Sequence, residues 1–153
     1  MKDVTWRGFI AVGLGGVLGC WLRYILSVLF NPLFLNLPPG TLAANWAAGF
    51  IMGCLIGIFQ RFQTLPVEVR LFATTGVIGG LSTYSTFSSE AIGLLLEGKY
   101  GWFTAHVFSH LIGTLAFTLL GIYLMHLCFG TRYAELDNLE PENECSQIRG
   151  RSN

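Results

Sequence analysis

Gly76-Val77-Ile78-Gly79-Gly80-Leu81-Ser82-Thr83-Tyr84-Ser85-Thr86-Phe87-Ser88-Ser89 lies inside a long apolar stretch of the chain. Length and apolarity favour a membrane-crossing helix. The Gly-Gly pair weakens a helix, and the Ser and Thr side chains that follow compete for its backbone hydrogen bonds. In lipid every backbone polar group must be satisfied within the protein. A break at membrane depth is therefore tolerated only where it is buried in protein or lines a wet cavity. Carbonyls and hydroxyls placed there point to ion handling.

Around that break the chain divides into four apolar stretches, residues 9–30, 41–59, 66–96 and 103–129. About 20 mostly apolar residues suffice for a helix to cross the hydrocarbon core. The expected fold is an all-α membrane protein of four transmembrane helices, the third broken. Composition agrees: the 153 residues are 52% hydrophobic and only 12% charged, against roughly a quarter charged in a soluble domain. The formal net charge is zero, so nothing draws a nucleic acid. The first stretch is longer than a signal-peptide core and contains Arg23, which predicts a retained helix. Cys20, Cys54, Cys128 and Cys145 show no metal or redox spacing.

Asn31-Pro32 and Pro38-Pro39-Gly40 predict a helix stop between the first two spans. Before the third, Thr64 is a candidate cap. Residues 1–130 form the expected membrane domain, and 131–153 a polar, flexible tail. Four spans put both termini on one side. Lys2, Arg7, Arg61, Arg70 and Arg132 gather there, with Lys99 opposite, so the positive-inside rule predicts cytoplasmic termini. Four short helices leave little room for an enclosed pore, which predicts an oligomer.

Asn45, Gly49, Gly53 and Gly57 recur at spacing four on one helical face. The glycines suit close helix packing. A carboxamide in a membrane needs a partner: Asn45 either joins two helices or donates to a passing ion. Gly15, Gly19 and Arg23 share a face of the first span, and Arg23 either snorkels or attracts an anion to a vestibule. The break itself reads as a packing kink or, with a partner subunit, as a carbonyl site for a hard cation such as Na⁺. Beyond it Tyr84 and Phe87 point the same way, beside Ser85, Thr86 and Ser88. Aromatic edges are positive and can rest against an anion. Glu90 sits at a pore mouth or at the interface. His106, His110, Thr114 and Thr118 form a polar stripe at spacing four. An i,i+4 histidine pair can hold a transition metal, but no acidic or cysteine partner is near in sequence, which favours a wet stripe. The histidines predict a pH-dependent conductance. No nucleotide-binding or hydrolase motif is present, and no pair of membrane carboxylates, which favours passive movement over enzymatic or coupled action.

Gly15-Gly16-Val17-Leu18-Gly19-Cys20-Trp21-Leu22-Arg23-Tyr24, Gly40-Thr41-Leu42-Ala43-Ala44-Asn45 and residues 79–88 together resemble the Fluc (CrcB-type) fluoride channels. The resemblance runs through all four spans. It implies an antiparallel, dual-topology dimer and passive export of F⁻ across the inner membrane, lowering cytoplasmic fluoride. It implies a structural Na⁺ held at the dimer centre by the Gly79 and Ser82 carbonyls. The family's two pore phenylalanines fall on Tyr84 and Phe87, its pore amide on Asn45, its hydroxyl track on Ser85, Thr86 and Ser88, and its first-helix arginine on Arg23. Tyr84 and Ser82 depart from the family's phenylalanine and threonine, and the fourth span, which in the family offers tyrosine and small hydroxyl residues, here carries a stripe with His106 and His110. Orientation bias leaves two assemblies open, a homodimer or a pair with an oppositely oriented homologue. Two other functions fit the composition: a small dual-topology exporter of organic cations, which should carry a deep carboxylate where Arg23 stands, and a non-transporting membrane interaction protein.

Overall fold

The computed structural model describes residues 6–34 and 36–129; the expected tail, 131–153, lies outside them. The described residues are helical with short connections. Helix α1 spans Trp6–Phe30, α2 Pro39–Arg61, α3 Val67–Leu71, α4 Gly79–Leu81, α5 Tyr84–Leu96 and α6 Tyr100–Phe129. Three helices are long and apolar enough to cross a membrane: Trp6–Leu33 (with a 3-10 turn at its end), Pro39–Arg61 and Tyr100–Phe129. The 30 residues of α6 reach about 45 Å, more than the roughly 30 Å hydrocarbon core.

The remaining apolar stretch is divided. It opens as α3, whose cap position is Pro66 with no side-chain cap bond, so Thr64 does not cap it. It widens into a π-helical segment, Phe72–Ile78, and tightens into α4. Ser82 (ψ 151°) and Thr83 (φ −145°, ψ 117°) are extended, and helix resumes at Tyr84. The π segment has no counterpart in the sequence reading. Thr74 donates its hydroxyl to the Arg70 carbonyl at 2.8 Å, a back-bond of the kind that bends helices.

Small residues decide the packing. Lipid is as apolar as leucine, so helices associate through close van der Waals contact rather than hydrophobic burial. Gly15 and Gly19 of α1 meet Gly76 and Gly80: a Cβ added at Gly76 would lie 2.8 Å from the Gly15 Cα, and one at Gly80 2.6 Å from the Gly16 carbonyl oxygen. The second seam joins α2 to α6, where a Cβ at Gly49 would lie 2.8 Å from the Thr114 carbonyl oxygen. Ala44, Ala48, Ile78 and Leu81 form the buried core where α2 crosses α4 and the π segment. Leu14, Leu18 and Trp21 of α1 and Leu119 of α6 are exposed, as lipid-facing positions should be.

Candidate functional site

The extended pair at residues 82–83 creates a backbone problem that Asn45 solves. Thr83 N–H donates to Asn45 Oδ1 at 2.8 Å, and Asn45 Nδ2 donates to the Thr83 carbonyl at 3.1 Å. An N–H can only donate and a carbonyl only accept, so the amide's orientation is fixed by its partners. The second Asn45 amide hydrogen faces His110 Nδ1 at 3.1 Å. That nitrogen must therefore be the acceptor, which puts the neutral imidazole's proton on Nε2.

Diverting these donors frees two carbonyls. In an unbroken helix Gly79 C=O would accept from Thr83 N–H, and Ser82 C=O from Thr86 N–H. Thr83 N–H goes to Asn45, and Thr86 N–H goes to Thr83 Oγ1 at 3.2 Å, where Thr83 is the cap of α5. Both carbonyls lose their intrahelical donors. Gly79 is exposed, and a Cβ there would meet nothing within 4 Å. Among the described residues nothing covers it.

Beside the break runs an open groove of about 580 Å³. Asn45, Ser82, Tyr84, Phe87, His110 and Thr114 are among its lining residues; Arg23, Ser85, Thr86, Ser88 and His106 are not. Tyr84 is 79% exposed, its ring 5.6 Å from that of Phe87. Phe87 in turn stacks on His106 (5.3 Å, 17°) and lies 4.8 Å from His110. The Thr83 hydroxyl donates to Thr86 Oγ1 at 2.9 Å and lies 3.5 Å from Ser85 Oγ, and Ser88 is half-buried. Arg23 is also half-buried and donates to Cys20 Sγ at 3.6 Å.

Two features are new. The two histidines of the stripe are buried within the subunit, His106 0% and His110 5% exposed, packed against Phe87, while His110, Thr114 and Thr118 line the groove. And Glu90, expected at a mouth or interface, belongs to a chain of polar contacts crossing the fold. Asn31 Nδ2 donates to Thr41 Oγ1 (3.3 Å), Thr41 Oγ1 donates to Glu90 Oε1 (2.7 Å), and Glu90 Oε2 lies 3.6 Å from His106 Nε2. Thr41 and Asn31 were missed as site residues. The available signal was a hydroxyl residue, Thr41, directly after the Pro38-Pro39-Gly40 stop.

The family model for CrcB-like protein, Camphor Resistance (CrcB), matches residues 10–122. The chain belongs to the CrcB family. Its match to a fluoride-specific ion channel FluC of Cupriavidus pinatubonensis is 51% identical over 120 residues, 78% of this chain and 95% of the relative. The protein of the same description from Nitrosospira multiformis is 52% identical over 112 residues, 73% of this chain and 88% of that one. The one from Pseudomonas aeruginosa is 41% identical over 125 residues, 82% and 98%. This CrcB-family chain, with three long apolar helices, is a multi-pass membrane protein.

Proposed function

We propose that the chain is a passive, fluoride-selective channel that exports F⁻ across the inner membrane, and not an enzyme. One observation carries the reading: relatives covering most of the chain are described as fluoride-specific ion channels, and the aligned region contains a stapled break beside rings and hydroxyls. HF crosses membranes and dissociates at cytoplasmic pH. A negative interior then drives the anion outward by about 2.3 kcal/mol per 100 mV, a concentration ratio of roughly fifty. No ATP or proton coupling is required.

The conducting assembly is an antiparallel dimer of the membrane domain, residues 1–130, with the tail 131–153 dispensable. The exposed break would then meet its symmetry mate. The Gly79 and Ser82 carbonyls fit a resident Na⁺: they are hard, neutral oxygens stripped of their helical donors. The Gly79 and Ser82 carbonyl oxygens would coordinate the cation, which would supply the partner charge for both breaks of the dimer. Tyr84 and Phe87 offer positive ring edges to the dehydrated anion, and Ser85, Thr86 and Ser88 offer hydroxyl donors along α5. Asn45 can lend its His110-facing hydrogen to an anion without undoing the staple on Thr83. Arg23 concentrates anions at the vestibule.

Purified protein in liposomes, with release followed by a fluoride electrode, tests this. Fluoride leaves and chloride does not; Phe87→Ile loses most of the rate; a chain ending at residue 130 retains it. Equal chloride release, or silence from the wild type, sinks the proposal.

A further inference from the structure

Glu90, His106 and His110 each bring a ligand atom to one place, all within 4.8 Å of one another. They come from α5 and α6, and the two histidines share a face of α6 one turn apart, their rings 4.5 Å from centre to centre. Among the described residues, both ring nitrogens of His106, His110 Nε2 and Glu90 Oε2 are buried with no partner in hydrogen-bond geometry. Orphaned buried polar atoms are costly. Ligand atoms from all three residues converging is a preference for a guest rather than a packing accident. The acidic partner that the sequence withheld from the histidine pair is supplied by the preceding helix.

From this cluster we infer that Glu90, His106 and His110 form a binding site for a borderline divalent transition ion of the Zn²⁺ class, and that loading it blocks the groove. Two imidazoles and one carboxylate are a donor set that Zn²⁺ takes, with a fourth position left open. Bonds of 2.0–2.1 Å place tetrahedral ligands about 3.3 Å apart. The His106–Glu90 pair, at 3.6 Å, is nearly there, and the remaining closure is within the reach of side-chain rotation. A cost is built in. His110 uses Nδ1 to accept from Asn45. Coordination through Nε2 moves the imidazole proton to Nδ1, where it confronts the Asn45 amide, so loading gives up that one hydrogen bond. The affinity is correspondingly modest. A metal held here lies against Phe87 and beside a groove-lining histidine, and the ion ties α5 to α6.

Metal binding by these three residues does not depend on the fluoride reading; the blocking effect rests on it. Two measurements separate them. Co²⁺ added to purified protein in detergent gives the visible d–d absorption of a low-coordinate nitrogen–oxygen site. Glu90→Gln and His106→Gln, each checked for a cooperative melt, lose it, and His126→Gln keeps it. Zn²⁺ slows fluoride release from liposomes at least tenfold, a chelator restores it, and the same two variants are insensitive. No Co²⁺ absorption in the wild type, or equal absorption in His106→Gln, overturns the site. Absorption with undiminished release in Zn²⁺ overturns the block.

Discussion

Thr83 in an extended conformation would expose its N–H and C=O at a depth where water is scarce, and Asn45 supplies both partners from the neighbouring helix. Leaving the two groups unpaired costs about 1–3 kcal/mol each, whereas losing the Thr83 hydroxyl cap costs about 1 kcal/mol. Asn45→Ala is therefore expected to lower Tm in detergent clearly more than Thr83→Val, and to lose fluoride release as well. If the two variants melt alike, Asn45 does not hold the break. The sequence left Asn45 between helix glue and ion donor. The geometry shows why both were admissible: the Asn45 amide makes three contacts, two of them spent on the Thr83 backbone and the third on His110.

At the scale of elements, the long helices were legible because twenty apolar residues in a row admit few other structures. The interruption was legible from Gly79-Gly80 and the hydroxyls that follow. Its register was not, because the π segment Phe72–Ile78 packs through Gly76 against Gly15 of α1, a contact between parts of the chain some sixty residues apart. The Glu90–His106 approach and the burial of the histidines were hidden for the same reason: spacing along one helix says nothing of what the next helix brings. The glycine seams make a sharp prediction at this scale. Gly80→Val must push α1 off α4, since even a Cβ there meets the Gly16 carbonyl and the Cys20 amide; the expected result is loss of monodisperse protein on size exclusion. Gly13→Ala, with nothing within 4 Å, should melt no lower than the wild type, because alanine favours a helix over glycine by about 1 kcal/mol. Equal tolerance of both would mean that the seam is not a close contact.

For the whole molecule, charge and symmetry pull in different directions. Among the described residues Arg7, Arg61 and Arg70 lie toward one end. Arg70 stays there by donating to the Phe62 and Gln63 carbonyls. At the other end Lys99 pairs with Glu97 at 2.8 Å and donates to Asn36 at 2.9 Å. Acidic neighbours contribute little to topology, so Lys99 still counts on its side, and with Lys2 and Arg132 of the sequence included the bias is five cations against one. The proposed homodimer with antiparallel subunits needs comparable numbers of chains in each orientation, so both would have to insert against that bias. A small tag after residue 130, probed with a membrane-impermeant reagent in sealed right-side-out vesicles, should be partly accessible and become fully accessible on permeabilisation. Moving one more arginine to the Arg61 end should reduce the accessible fraction and fluoride release together. Tags found wholly on one side of the wild-type membrane would rule out the antiparallel homodimer and leave pairing with an oppositely oriented homologue as the way to bring two breaks face to face.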